Sequence, residues 1–290
     1  GKSVGINNRR LLRYVSLRRP EKGENIMIDT IATRAVDQNE KVLTDLAKKI
    51  WENPETAFNE VKACEWTAEV LRNAGFEVET GYVGMPTAIR AVWGKGHPVI
   101  GFLGEYDALP GLSQKVSTEK EPVVPGAAGQ GCGHNLLGVA CLGAALGMKA
   151  ELEATGKEGT VVFYGCPAEE VLTGKAFMAR GGAFTELDAA FSWHGSTNNH
   201  VTLGTMTGLN SAIFHFKGIT AHAGGDPHNG RSALDAVELT SVGANYLREH
   251  VTSDVRIHYV IKEGGTAPNI VPDKASVWYY VRALSREAVE

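Results

Sequence analysis

One stretch constrains the fold more than any other. Residues 136–150 are apolar nearly all round, with Gly138, Gly143 and Gly147 spaced for close packing. A helix without a polar face has to lie inside the protein, against a sheet. The chain supplies strands on both sides of it. Short apolar runs occupy 87–93 and 98–103, and residues 159–165 and 188–193 read as buried strands. Two helices come earlier. Residues 36–51 carry Val36, Leu43, Leu46, Ala47 and Ile50 at helical spacing. Residues 59–74 carry Ala63, Trp66, Thr67, Val70 and Leu71 on one face, and Gly75 is a stop. Strands alternating with helices predict an α/β fold, a mixed and largely parallel sheet flanked by helices.

The pattern changes near Gly208. Residues 211–217 alternate as a strand, 231–250 form an amphipathic helix, 255–261 and 275–283 are strands, and Ser285 opens another helix. Strand-helix-strand-strand-helix is most of a ferredoxin-like α+β unit that closes with one more strand. The expected organisation is a first domain over 27–207 and a second over 208–290, the latter truncated. Residues 1–26 are read as foreign to the fold. Arg9, Arg10, Arg13, Arg18 and Arg19 stand there with no acid before Glu21. A transit peptide and a translated leader ahead of Met27 both fit, and the leader is preferred.

A formal net charge of -4 and a pI near 6.2 give no reason to expect nucleic acid as a partner. No apolar run approaches the roughly 20 residues of a membrane span, so no membrane partner is expected. Cys64, Cys132, Cys141 and Cys166 form no Cys-x-x-Cys pair. A reducing, cytoplasmic setting is the expectation. Cys64 and Cys141 fall on apolar helix faces and read as small buried hydrophobes. No Gly-x-Ser-x-Gly elbow is present, which argues against a serine hydrolase.

Five short stretches carry possible chemistry. Cys132 and His134 stand two apart between glycines in Gly131-Cys132-Gly133-His134-Asn135, a ligand pair for a borderline-soft divalent ion. Glu169 and Glu170 sit side by side just past a strand; a metal site would use one as ligand and the other as proton acceptor. His194 follows the next predicted strand, where sites lie in open α/β sheets. Asp107, in Glu105-Tyr106-Asp107, is placed to orient a ligand histidine. In the second domain, His222 and His228 lie in a Gly-rich loop suited to an anion or a polarised carbonyl, and Asn269 and Arg282 suit a carboxylate. Taken singly, each has an ordinary reading: a Gly-rich turn, a solvated acidic helix start, a structural histidine, an acidic turn, a strand-end charge.

Taken together and in order, the stretches resemble a known family. Gly-Glu-Tyr-Asp-Ala-Leu at 104–109, Gly-Cys-Gly-His-Asn at 131–135, Pro-Ala-Glu-Glu at 167–170, Trp-His at 193–194, Ala-His-Ala at 221–223 and Pro-His-x-Gly-Arg-Ser-Ala-Leu-Asp-Ala at 227–236 are similar to those of the metal-dependent amidohydrolase superfamily of aminoacylases, auxin-conjugate hydrolases and carboxypeptidase G. The likeness runs from about Met27 to the end. It implies a zinc-peptidase-like catalytic domain interrupted by a lid that also mediates dimerisation. It implies two divalent metal ions, Mn or Zn, with Cys132, His134, Glu170 and His194 at ligand positions and Glu169 as general base. His222 matches a lid histidine that reaches a neighbouring protomer's active site, and His228, Asn269 and Arg282 match substrate-binding positions. The implied substrate is an N-acyl or N-aroyl amino acid, p-aminobenzoyl-glutamate first. The implied partner is a second copy, or a homologous subunit. A dipeptidase, another N-acyl amino acid hydrolase or a non-catalytic partner subunit are the alternatives. The family's last histidine ligand lies beyond residue 290, so residues 1–290 alone are expected to be inactive.

Overall fold

The computed structural model describes residues 30–198, 200–201 and 205–290. The reading of residues 1–26 lies outside these. The described residues form two compact units that divide after Asn198.

In the first unit, α1 (Ile31–Gln38) and α2 (Glu40–Glu52) replace the single helix expected over 36–51. Thr30 and Thr33 close a capping box at the start of α1. Asn39 breaks the run: its backbone leaves the helical region and its Nδ2 donates to Ala35 O at 2.8 Å. α2 then buries Leu43, Leu46, Ala47 and Ile50, the i, i+3, i+4, i+7 stripe read from the sequence. α3 (Val61–Asn73) is capped from outside by Glu55, whose carboxylate accepts from Lys62 N and Ala63 N.

The sheet comprises β1 (Glu77–Thr80), β2 (Ile89–Lys95), β3 (Val99–Glu105), β4 (Gly159–Cys166) and β5 (Ala189–Phe191), in the order β1-β2-β4-β3-β5. Pairings β3·β4 and β3·β5 are parallel, and β1·β2 and β2·β4 are antiparallel. The sheet is therefore mixed, with its parallel half on the side of β3. β4 slots between β2 and β3, which are joined by only three residues. α4 (His134–Thr155) lies on one face with α2 and α3, around Leu137, Leu142, Ile50, Leu71, Val161 and Phe163. α5 (Gly174–Arg180), not foreseen from the sequence, covers the other face, where Met178 packs with Val162 and Tyr164. β4 is thus buried on both faces, which explains its uninterrupted apolar run. Burying each large aliphatic or aromatic side chain of this core contributes roughly 1.5–3 kcal/mol.

Two expectations need correction. β5 is not buried: all three of its residues are exposed, because among the described residues it lies at the sheet edge and pairs with β3 alone. And α4, at 22 residues with mean hydropathy 1.3, has the length and composition of a membrane span, contrary to the reading that no apolar run comes close. Its 56% burial against sheet and helices identifies it as a core helix. Gly138 is what lets it approach β3, since a Cβ there would meet Glu105 O at 2.2 Å.

In the second unit, β6 (Gly208–Lys217), β7 (Arg256–Glu263) and β8 (Lys274–Ala283) form an antiparallel sheet in the order β6-β8-β7. α6 (Ala233–Leu247), capped by Ser232, seats Ala233 and Val237 on Ile257, Ala275, Val277 and Tyr279. α7 (Arg286–Val289) follows, with Ser285 as its cap. This is the expected split βαβ order.

Candidate metal centre

The site of the first unit gathers at the carboxyl ends of β3, β4 and β5. β3 delivers Glu105 and leads into Asp107; β4 leads into Glu169 and Glu170; β5 leads into His194. Cys132 and His134 arrive from the opposite direction, at the start of α4. Gly133 caps that helix with φ 84°, a left-handed turn that brings Cys132 and His134 to one side. Gln130 locks the turn, accepting from Asn135 N at 3.1 Å and donating to Tyr106 O at 3.0 Å.

Both histidines aim the same nitrogen inward. His134 is fully buried, and its Nδ1 lies 2.9 Å from Asp107 Oδ1 and 3.0 Å from Asp107 O. Nδ1 therefore donates to Asp107, and Nε2 faces inward without a hydrogen-bond partner. His194 Nδ1 likewise faces Gly195 O at 3.0 Å, leaving Nε2 3.2 Å from Cys132 Sγ. The rings of His134 and His194 meet edge to face at 6.1 Å. Asp107 also accepts from Glu170 N at 2.9 Å, so one carboxylate fixes a histidine and the carboxylate loop together.

His134 Nε2 lies 3.1 Å from Glu105 Oε2, 3.7 Å from Glu169 Oε2 and 4.0 Å from Glu170 Oε1. Glu105 in turn is paired with Lys175 through its other oxygen. The ligand atoms of Cys132, His134 and His194 all lie within 4.8 Å of one another, and so do those of Glu105, His134 and Glu169. His134 Nε2 and Glu170 Oε1 are buried without a hydrogen-bond partner. Orphaned buried acceptors are costly, and two of them facing one pocket beside a thiol and a second imidazole fit a divalent cation.

The acid-base state fits too. Burial raises the Glu170 pKa; His134 lowers it, and the charges of Asp107 and Glu169 raise it further. Burial, then Glu170, Glu169 and Glu105, push the Cys132 thiol up to about 11. Burial opposes protonation of His134, but the hydrogen bond and charge of Asp107, with Glu105 and Glu170, hold it above its usual value. A cation would relieve this crowding of acids and take Cys132 as thiolate.

All five first-unit candidates, Cys132, His134, Glu169, Glu170 and His194, are brought together, with Asp107 positioning two of them. Glu169 and Glu170 do not start a helix; α5 begins only at Gly174. Glu105, Lys175 and Gln130 were missed as parts of the site. Glu105 belonged to a motif that the sequence singled out, but nothing in the sequence announced Lys175 or Gln130.

The second-unit candidates fall into two places. His222 and Asn269 are neighbours, since Ala223 N donates to Asn269 O at 3.0 Å and His222 bridges Ile270. His222 Nδ1 accepts from Gly224 N and Gly225 N, at 3.2 and 2.9 Å, which puts its proton on Nε2. His228 follows in a short turn, its Nε2 3.2 Å from Asp226 Oδ1. Arg282 is elsewhere. It pairs with Leu209 and Arg256, whereas the His222 and Asn269 loops leave the end of the sheet where Lys217 faces Lys274. The strand from Lys274 to Arg282 separates those ends by roughly 25 Å.

The chain is similar in sequence to curated hydrolases and peptidases, and in fold to solved structures. Residues 205–290 match the family model described as peptidase dimerisation domain. The chain is 47% identical over 255 residues to one of the subunits of p-aminobenzoyl-glutamate hydrolase from Escherichia coli, covering 86% of this chain and 52% of that protein. It is 33% identical over 277 residues to the Xaa-Arg dipeptidase of Mus musculus, covering 89% and 59%. It thus spans little more than half the length of these curated relatives. Among solved structures, the aminobenzoyl-glutamate utilization protein of Klebsiella pneumoniae superposes with a TM-score of 0.63 at 18% identity, covering 89% of this chain and 70% of that one.

Proposed function

We propose that the protein hydrolyses the amide bond of an N-acyl or N-aroyl amino acid, p-aminobenzoyl-glutamate first, releasing p-aminobenzoate and glutamate. The observation that carries this reading is the convergence of Cys132, His134, His194 and the Glu169–Glu170 loop around two buried acceptors without partners. The 47% identity to a component of p-aminobenzoyl-glutamate hydrolase supports the choice of substrate.

Cys132, His134, Glu170 and His194 would hold divalent cations, two in number and Zn or Mn in kind by the donor set. When bound, such ions supply Lewis acidity and lower the pKa of water. Of the two adjacent carboxylates, Glu170 has the buried orphan oxygen and suits a ligand. Glu169, with its side chain 32% exposed, is open to substrate and suits the base. Glu169 takes the proton of the attacking water and returns it to the leaving amine. His222, protonated on Nε2, donates a hydrogen bond to the oxyanion.

The separation of Arg282 from Asn269 favours a second copy of the chain, or a homologous partner subunit, docked through the 208–290 domain acting as lid and dimerisation unit. One copy cannot bring both residues to a single carboxylate; two copies can. His222 then serves its neighbour's site. A cytoplasmic location belongs to the same reading, supported by four free thiols.

The test is hydrolysis by the full-length gene product across acylated glutamates and dipeptides, before and after chelation. Chelator-sensitive cleavage of p-aminobenzoyl-glutamate, restored by Zn or Mn, is expected. Undiminished turnover after verified metal loss overturns the mechanism. Preference for a dipeptide with a carboxy-terminal arginine would move the substrate toward that of the dipeptidase relative.

A further inference from the structure

Glu60 is a buried carboxylate that the proposed chemistry does not use. It is fully withdrawn from solvent just ahead of α3, yet its side chain makes no capping bond to that helix; Glu55 does. Its bonds go elsewhere. Oε1 accepts from Phe58 N at 3.0 Å and from Ala168 N at 2.8 Å, and Oε2 accepts from the Thr87 hydroxyl at 2.9 Å. A carboxylate only accepts, so this one serves as a single anchor for three segments far apart in sequence.

Ala168 is the informative partner. It stands between Pro167 and Glu169 with φ 56°, a left-handed conformation that a residue with a Cβ adopts only when its surroundings impose it. Ala168 is itself fully buried, and its carbonyl accepts from Gly174 N. The peptide that Glu60 grips is therefore the pivot from which Glu169 and Glu170 are aimed at His134.

We propose that Glu60 is the positioning residue of the carboxylate loop: by gripping Ala168 N it imposes the left-handed pivot that sets where Glu169 and Glu170 point. The inference rests on the reading of that loop as part of a metal centre. What matters is the reach of the side chain to Ala168, with charge secondary, because a carboxamide oxygen accepts from Ala168 N and Phe58 N equally well. The carboxamide nitrogen can also face the Thr87 hydroxyl as donor.

Zinc titration of the chain by calorimetry, with circular dichroism to verify folding, separates reach from charge. E60Q keeps the reach and loses the charge, and should bind zinc like the unsubstituted chain. E60D keeps the charge and loses the reach, and should weaken zinc binding by about 10- to 100-fold, the range for outer partners of metal ligands. E60A should resemble E60D. Adding A168G to E60D should restore part of the affinity, because glycine takes the left-handed pivot without support. Should E60A not fold, the Gln and Asp pair carries the test unaided. Unchanged affinity in E60D, or a loss in E60Q equal to that in E60D, overturns the proposal. Failure of the unsubstituted chain to bind zinc in a manner abolished by C132A would instead overturn the metal-centre reading itself.

Discussion

The two compact units hold their candidate residues under opposite conditions. In the first, His134, Asp107 and Glu105 are buried, each locked by a neighbour, and two acceptor atoms are left without partners. In the second, His222, His228 and Asn269 lie on loops, with their bonds made to local backbone and to Asp226. The first arrangement is costly until something cationic enters, so it defines a binding site within one unit. The second costs little by itself. Groups open to water act weakly there and strongly once covered, and under the proposed function these residues would act once substrate or another chain encloses them. A candidate metal centre is thus contained in one unit, whereas the second-unit candidates form no enclosed site among the described residues.

The largest expected effect tests this division directly. Removing metal should take hydrolysis to background. Zinc at 100 times its Kd should raise the stability of the chain by about 2.7 kcal/mol if it binds only the folded form. H134A should abolish that gain in a thermal melt, whereas H222A should leave it intact. Loss of the zinc gain in H222A would break the comparison, because the second unit would then share the metal site.

Next in size is the base. E169Q should lower kcat by about 100- to 10,000-fold while metal content, read by elemental analysis, stays near stoichiometric. E170Q should lose metal instead. Near-native turnover in E169Q would reassign the base to the other carboxylate, or to Glu105.

H222A should lower kcat by about 100- to 1,000-fold, the usual cost of one oxyanion donor. Mixing H222A with an E169Q protein should recover activity if each site borrows its histidine from a second copy. No recovery in mixed dimers of verified composition would place His222 at its own chain's site.

The smallest effect is far from the chemistry and calibrates the rest. Arg90 grips Glu186 through two hydrogen bonds, of 2.8 and 2.6 Å, and Tyr164 adds a third. Arg90, opposed by burial and helped by Tyr164, holds Glu186 below its ordinary value of 4.5. A carboxylate depressed in the folded state contributes stability above its unfolded value, and that contribution vanishes as pH falls through the folded one. The pair is partly exposed, so E186Q should cost no more than about 1 kcal/mol at neutral pH. The difference from wild type, followed by denaturant melts, should shrink on acidification below 4.5. A difference that instead grows on acidification would assign the pair no electrostatic role.

Local pattern made much of this legible. The apolar, glycine-spaced helix announced α4 because a residue's face is fixed by helical periodicity alone. The strand-helix-strand-strand order announced the second unit for the same kind of reason. Cys132, His134, Glu169, Glu170 and His194 were legible as candidates only jointly, through an order of motifs that resembles a known family, since each alone reads as an ordinary turn or strand end. The break at Asn39 was not legible, since one side chain capping its own helix outweighed a continuous periodicity. Nor was the exposure of β5, because an apolar strand reads alike whether it is central or at an edge.

The sequence by itself determined which elements form, which faces they bury and which residue types can bind a metal, all consequences of composition and short-range spacing. Only the tertiary structure decided which acids share one pocket. Glu60 meets Ala168 across 108 residues of chain, and Lys175 meets Glu105 across 70, separations at which most residue pairs never touch. Their approach depends on strand order, on β4 entering between β2 and β3, and on the missing Cβ of Gly138 that lets α4 close on Glu105. Those are properties of how elements pack, and burial then converts proximity into electrostatic force.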